Sequence, residues 1–251
     1  MNVLSRGKSG HRAVDAQSRV LTPERTLVLF WVRCKIQNVT AQDIGGRMQF
    51  LVEHIAAFAD SPLAALTEKT PWALTTNSAL AVRRLLSEIS EEYHVSGDVA
   101  VHRTTTVEAG ALVKEPAIIG PRCFIAAGSL IRGGCWLDEN CIIGPGCELK
   151  SSFLFAGTKL AHFNFVGDSV VGARVNLEAG SIVANFRNEF ADPKIRILYA
   201  GEIIETGADK FGALIGDDCK FGANAVVAPG AIFERGTIVA RLTLVDQRPR
   251  G

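Results

Sequence analysis

From residue 101 onward an apolar side chain recurs at every sixth position: Val101, Val107, Val113, Ile119, Ile125, Ile131, Leu137, Ile143 and Leu149. The frame slips by one residue and continues through Leu154, Leu160 and Val166, slips again through Val171, Leu177 and Val183, and resumes at Ile215, Phe221, Val227, Phe233 and Val239. A period of six fits neither an amphipathic helix nor a long alternating strand, so it predicts a coil of short strands. Three hexapeptides make one triangular turn, and successive turns stack roughly 4.8 Å apart with the sixth-position side chains inward. Each buried aliphatic contributes about 1.5–3 kcal/mol, which the ladder needs to offset backbone ordering.

The position four residues after a ladder residue is usually small, and it holds Cys123, Cys135, Cys141, Cys147 and Cys219. Five of the six cysteines in this one slot read as small buried hydrophobes at a tight corner rather than as ligands or disulfides. Cys34 stands apart, with no role assigned. Glycines directly after ladder residues, as at Gly120, Gly144, Gly172, Gly216 and Gly222, fit unusual dihedrals or close backbone approach.

Outside the coil, residues 1–22 are polar and aperiodic and predict a mobile tail. Residues 23–95 form a helical N-terminal region. One helix is expected between Arg47 and Ala59 on Met48, Leu51, Val52 and Ile55, and a second on Leu80, Leu85, Leu86 and Ile89, capped by Thr76 or Asn77. These helices are expected to pack on the coil's base or on a neighbouring subunit. The coil spans 96–245, and at 187–209 the six-residue frame is lost to a projecting loop that either folds over a ligand or decorates the surface.

Composition narrows the picture. Of 251 residues, 47% are hydrophobic and 21% charged, as in an ordinary folded protein, and 27 basic residues against 26 acidic ones leave no field to attract nucleic acid or an acidic membrane. The longest early apolar stretch, residues 26–32, is too short to span a bilayer and no leader is recognisable, so the expectation is a soluble cytoplasmic chain with reduced thiols. With only His102 and His162 in the repeat, no metal site is expected.

Two features carry chemistry. Arg132 and Lys150 each follow a ladder residue eighteen positions apart, which stacks them on adjacent turns. Side by side, two cations repel unless an anion joins them; phosphate is one guest, and two solvated surface cations are the plain alternative. His162 lies twelve residues further on; its unperturbed pKa suits removal of a proton from an amine near neutral pH, although a lone histidine is also a common structural residue.

The repeat resembles the hexapeptide-repeat transferase family. Its members fold as left-handed parallel β-helices and form homotrimers, and the left hand is implied by this resemblance alone. The polar intervals are similar to those in the acetyltransferase half of the bifunctional enzymes that make UDP-N-acetylglucosamine. The matching segments are Ile131-Arg132-Gly133-Gly134, Glu148-Leu149-Lys150, Ala161-His162, Val166-Gly167-Asp168, Val175-Asn176-Leu177-Glu178-Ala179-Gly180, Ala184-Asn185-Phe186 and Lys210 to Asp217.

That resemblance implies a mainly β fold and N-acetyl transfer from acetyl-CoA to an amino-sugar phosphate, with glucosamine 1-phosphate as the best acceptor. Arg132, Lys150, Phe165, Asn176 and Lys210 would bind the acceptor. His162 would be the general base, the Ala179 N–H would steady the oxyanion, and Asn185 would orient the acetyl group. Phe186 and the backbone around Ala223 and Ala240 would line the donor channel between subunits.

Three departures stand beside this. Phe165 and Phe186 occupy positions where the family has tyrosines, the loop before Lys210 is much longer, and nothing before Ser96 resembles a nucleotide loop opening a βαβ unit. No uridylyl transfer is expected, and a separate nucleotidyltransferase is a conceivable partner. Two other readings stay open: a different acyl donor or sugar, and a non-catalytic trimeric scaffold or ligand-binding relative.

Overall fold

The computed structural model describes residues 49–66 and 70–247. The tail expected over 1–22, the stretch 26–32, Cys34 and Met48 lie outside them. The fold is the expected parallel β-helix of hexapeptide repeats, mainly β, with short helices ahead of it. One turn consists of Cys135–Leu137 on a first face, Ile142–Ile143 on a second and Glu148–Lys150 on a third. The next turn, Phe153–Leu154, Lys159–Leu160 and Phe165–Gly167, pairs onto it in parallel, with Leu154 beside Leu137, Leu160 beside Ile143 and Val166 beside Leu149. The second and third faces hold seven strands each and the first holds eight, because Tyr93–Ser96 pairs antiparallel with Val99–His102 at its start.

The inner core is the ladder read from the sequence. Ile119, Ile143, Leu149, Leu160, Val166, Val171, Leu177 and Ile215 are fully buried in one cluster, with Cys123, Cys135, Cys141, Cys147 and Cys219 among them. These five thiols are free, and Cys123, Cys135 and Cys219 direct Sγ at the carbonyls of Asp138, Arg132 and Glu234, 3.0–3.2 Å away. Burial pushes the Cys135 and Cys219 thiols up to about 11. Of the two roles read for the glycines after ladder residues, close approach is the one observed. None of Gly120, Gly144, Gly172, Gly216 and Gly222 has a positive φ, and a Cβ at Gly144 would collide with the Ala161 carbonyl of the next turn.

A second core lies outside the coil. Ala100, Ile118, Trp136, Phe153, Val170, Leu214 and Ile232 point outward from the first face, yet all are buried. Three helices cover them: α1 (Gln49–His54), α2 (Pro71–Thr76) and α3 (Ser78–Leu86). Thr70 caps α2 by accepting the Ala73 N–H at 3.3 Å, with Pro71 opening the first turn. The helices therefore seal a side of the coil rather than its base. α3 also turns differently from the reading above: Ala81, Val82 and Leu85 face inward while Leu80 is 67% exposed, and Asn77 at its start makes no side-chain cap bond. Beside Leu85, the apolar side of α3 uses Ala81 and Val82, which a search for large aliphatics overlooks.

The segment expected as a projecting loop at 187–209 folds back onto the coil. Its strands Arg196–Tyr199 and Glu202–Glu205 form an antiparallel hairpin, and Ile195, Ile197, Tyr199 and Ile204 join the outer core. Tyr199 meets the Phe50 ring edge-on at 4.9 Å, so hairpin and α1 seal the first face together. Among the described residues no helix is long and apolar enough to cross a membrane.

Truncating the fully buried ladder residue in Leu149→Ala is expected to cost about 2–5 kcal/mol in denaturant unfolding, whereas Leu80→Ala stays within about 0.5 kcal/mol. In a Cys34→Ser background, the five coil thiols should resist a thiol reagent at pH 8 and react fully in denaturant. Labelling of the folded chain would contradict their burial.

Candidate active site

The corner between the third and first faces carries an open cleft of about 410 Å³ lined by Arg132, Lys150, Phe165, Asn185, Phe186 and Lys210. Strand pairing sets Lys150 beside Arg132 and Gly167 beside Lys150, so residues far apart in sequence meet on successive turns. The long excursion between Asn185 and Lys210 does not carry Lys210 away. The Phe211 N–H donates to the Asn185 carbonyl at 3.1 Å and the Gly212 N–H to that of Asp168 at 2.9 Å, which pins the returning chain at the cleft.

The charges differ from the sequence reading in one respect. Arg132 Nε donates to Glu148 Oε1 at 2.7 Å, and Lys150 Nζ to Asp168 Oδ2 at 2.6 Å. Each cation thus has its own carboxylate, and mutual repulsion does not by itself call for a phosphate. The Lys150–Asp168 pair is the more sequestered, with side chains 16% and 7% exposed, and Asp168 also accepts from the Asn185 amide. Lys210 is exposed and makes no ion pair among the described residues, so it is the uncompensated charge of the cleft.

His162 lies elsewhere on the chain. It is exposed at the corner between the second and third faces, and Asn176 sits on the second face, in another open cleft of about 590 Å³ with Lys159 and Arg174. Within one chain, therefore, Arg132, Lys150, His162 and Asn176 do not surround a common cleft, contrary to expectation. The third face, which starts at Phe165 and ends at Gly167 in this turn, separates the imidazole from the cations.

The His162 corner nevertheless has an order of its own. Leu160, Leu177, Phe221 and Val239 pair in succession, so two residues beyond each the corner stacks His162, Ala179, Ala223 and Arg241. Ala240 precedes Arg241 on that edge and is exposed. The Ala179 N–H makes no hydrogen bond among the described residues, whereas that of Ala223 donates to Glu178 Oε2 at 2.9 Å.

Glu148, Asp168, Glu178 and Arg241 are the polar residues that motif reading left without a role. Asp168 could have been found, since it stands eighteen positions after Lys150 and so falls near the turn above it. Arg187, directly after Phe186, is 5% exposed; it binds both Asp246 oxygens, at 2.8 and 3.1 Å, and the Pro229 carbonyl, so it fixes the chain behind the cleft.

Residues 116–151 match the bacterial transferase hexapeptide (six repeats) family. The chain is 31% identical over 159 residues to the bifunctional sugar-1-phosphate nucleotidylyltransferase/acetyltransferase of Sulfurisphaera tokodaii, covering 63% of this chain and 38% of the relative. It is 29% identical over 189 residues to the bifunctional protein GlmU of Methanococcus vannielii, covering 70% and 43%, and 32% identical over 161 residues to that of Ralstonia nicotianae, covering 62% and 31%. The chain thus spans less than half the length of these relatives.

Removing the carboxylate in Asp168→Ala leaves the mostly buried Lys150 ammonium uncompensated and is expected to destabilise the chain by about 3 kcal/mol in chemical denaturation. Glu148→Ala, at the more exposed pair, should cost under about 1 kcal/mol.

Proposed function

We propose that this chain, a member of the hexapeptide-repeat family, is an acyltransferase that moves the acetyl group of acetyl-CoA onto the amine of an amino-sugar phosphate, with glucosamine 1-phosphate as acceptor. The observation that carries this reading is the grouping of Arg132, Lys150 and Lys210 in one cleft with two aromatic side chains. Three donors suit a phosphate, while Phe165 and Phe186 offer apolar surface to a sugar ring. The absence of hydroxyls on both rings leaves polar recognition of the acceptor to the cations and Asn176.

The second half of the chemistry belongs to the other corner. His162, exposed and without a side-chain partner among the described residues, takes the proton from the attacking amine. The amine nitrogen bonds to the thioester carbonyl carbon, and the unspent Ala179 N–H steadies the oxygen as it gains charge. The carbon–sulfur bond then breaks and coenzyme A leaves as its thiol. Asn185 orients the acetyl group, Asn176 completes the acceptor site, and Ala223 and Ala240 line the donor's path.

A base on one corner and a cation cleft on another can act on one substrate when a second copy brings its His162 corner to the cleft. A closed ring of three copies gives each cleft one such corner, and this is the assembly we assign. Exposed apolar residues on the second and third faces, among them Phe124, Ile182, Val226, Ile238 and Leu244, supply surface for that contact.

With acetyl-CoA and glucosamine 1-phosphate, the purified chain is expected to release free thiol, and His162→Ala to lose at least about 100-fold in kcat while sedimenting as the same trimer. Equal turnover by both proteins would remove His162 from the mechanism. Failure of every amino-sugar phosphate tested would favour the scaffold reading.

A further inference from the structure

Asp168 is a buried polar group of the cation cleft to which the proposed chemistry gives no task. It stands eighteen positions after Lys150 and seventeen before Asn185, so the three residues occupy successive turns of one corner. Its backbone is fixed on both sides: the Asp168 N–H donates to the Lys150 carbonyl at 2.8 Å, and the Asp168 carbonyl accepts the Gly212 N–H at 2.9 Å. One carboxylate oxygen, Oδ2, accepts both from Lys150 Nζ, at 2.6 Å, and from the Asn185 side-chain amide. With the Asp168 side chain 7% exposed, this arrangement lies inside a single chain and needs no second copy to form.

We infer that Asp168 is a positioning residue for acyl transfer: its carboxylate sets which end of the Asn185 amide is turned to the cleft and aims the Lys150 ammonium at the acceptor. This rests on the reading of the protein as an acyltransferase.

The chemistry of the three groups supports the assignment. An ionised carboxylate only accepts hydrogen bonds, so an amide beside it must present Nδ2 and turn its oxygen away. Asn185 Oδ1 accordingly makes no hydrogen bond among the described residues, and together with the second amide hydrogen it is left for a substrate. A neutral amide in place of the carboxylate would accept Asn185 either way round, and only one of the two arrangements matches a given substrate group. Gly167 gives the Asn185 amide its place, because a Cβ there would sit 2.8 Å from Asn185 Cγ and Nδ2 and equally close to the Phe165 ring. Lys150 spends one ammonium hydrogen on Asp168 and keeps two for an anion, and its long stem is ordered before the acceptor arrives. The two groups that Asp168 holds are those assigned to the acceptor phosphate and to the acetyl group. Tying both to one oxygen fixes the span between the two ends of the reaction, where a misplacement of about 1 Å is costly.

The test is steady-state kinetics with acetyl-CoA and glucosamine 1-phosphate on the native chain, Asp168→Asn, Asn185→Ala and the double variant, with circular dichroism to check that each keeps its strands. Asp168→Asn leaves the cleft more positive, so the loss of a mere countercharge would lower KM for the acceptor and leave kcat alone. Positioning instead predicts that kcat falls at least about tenfold. Because that loss runs through the amide, the double variant should have about the kcat of Asn185→Ala rather than the product of the two losses. Should Asp168→Asn not fold, Asp168→Glu keeps the charge but moves the carboxylate by one methylene, and its kcat should fall about as far. Unchanged kcat in Asp168→Asn, fully multiplicative losses, or native turnover by Asp168→Glu would each overturn the assignment while the acyltransferase reading stands. If the native chain releases no thiol with any amino-sugar phosphate, the acyltransferase reading falls and takes this assignment with it.

Discussion

Parallel register between successive turns is the constraint on which the rest of the molecule depends. Hydrogen bonds tie each short strand to the one a turn away, and the buried ladder fixes which residue meets which. Once Leu149 lies on Ile131, Lys150 must lie beside Arg132. Once Leu177 lies on Leu160, Ala179 must follow His162 along the corner. The candidate site is thus a by-product of core packing: inward residues set the frame, and outward residues inherit positions from it.

The same frame gives the three faces different fates. The first is closed by α1, α2, α3 and the hairpin, whose aromatic contacts, such as Phe50 with Tyr199 at 4.9 Å and Trp72 with Phe211 at 6.1 Å, make a second core. The second and third retain exposed apolar residues at Phe124, Ile182 and Ile238. Charged groups concentrate at corners, where the chain turns and long side chains can reach a neighbouring turn.

The coil was legible because its signal is additive: one residue in six over 140 positions cannot be mistaken for a helix. The stacking of Arg132 on Lys150 followed from arithmetic on that period. Their carboxylate partners were harder to see, because Glu148 precedes Lys150 by two residues and reaches diagonally to Arg132, and a pairing across turns depends on side-chain direction as well as spacing. The separation of His162 from the cations was also legible and was missed: Leu160 is two ladder steps beyond Leu149 in a three-step turn, which puts His162 on a different corner from Arg132 and Lys150. In α3, Leu85 was legible but Ala81 and Val82 were missed, and Leu80, which faces outward, was counted, because large aliphatics alone were used to orient the helix.

The hairpin also bears on how the chain assembles its turns. Most rungs join strands seventeen or eighteen positions apart, as Lys150 joins Arg132, but Val171 joins Ile215 across 44. Closing that larger loop adds only about 0.8 kcal/mol of lost chain entropy, because the penalty grows logarithmically with length. Four buried side chains of the excursion, Ile195, Ile197, Tyr199 and Ile204, return more than that. A coil that tolerates such a detour without a change of pitch can acquire or discard whole segments between rungs, so length variation here need not disturb the turns that follow.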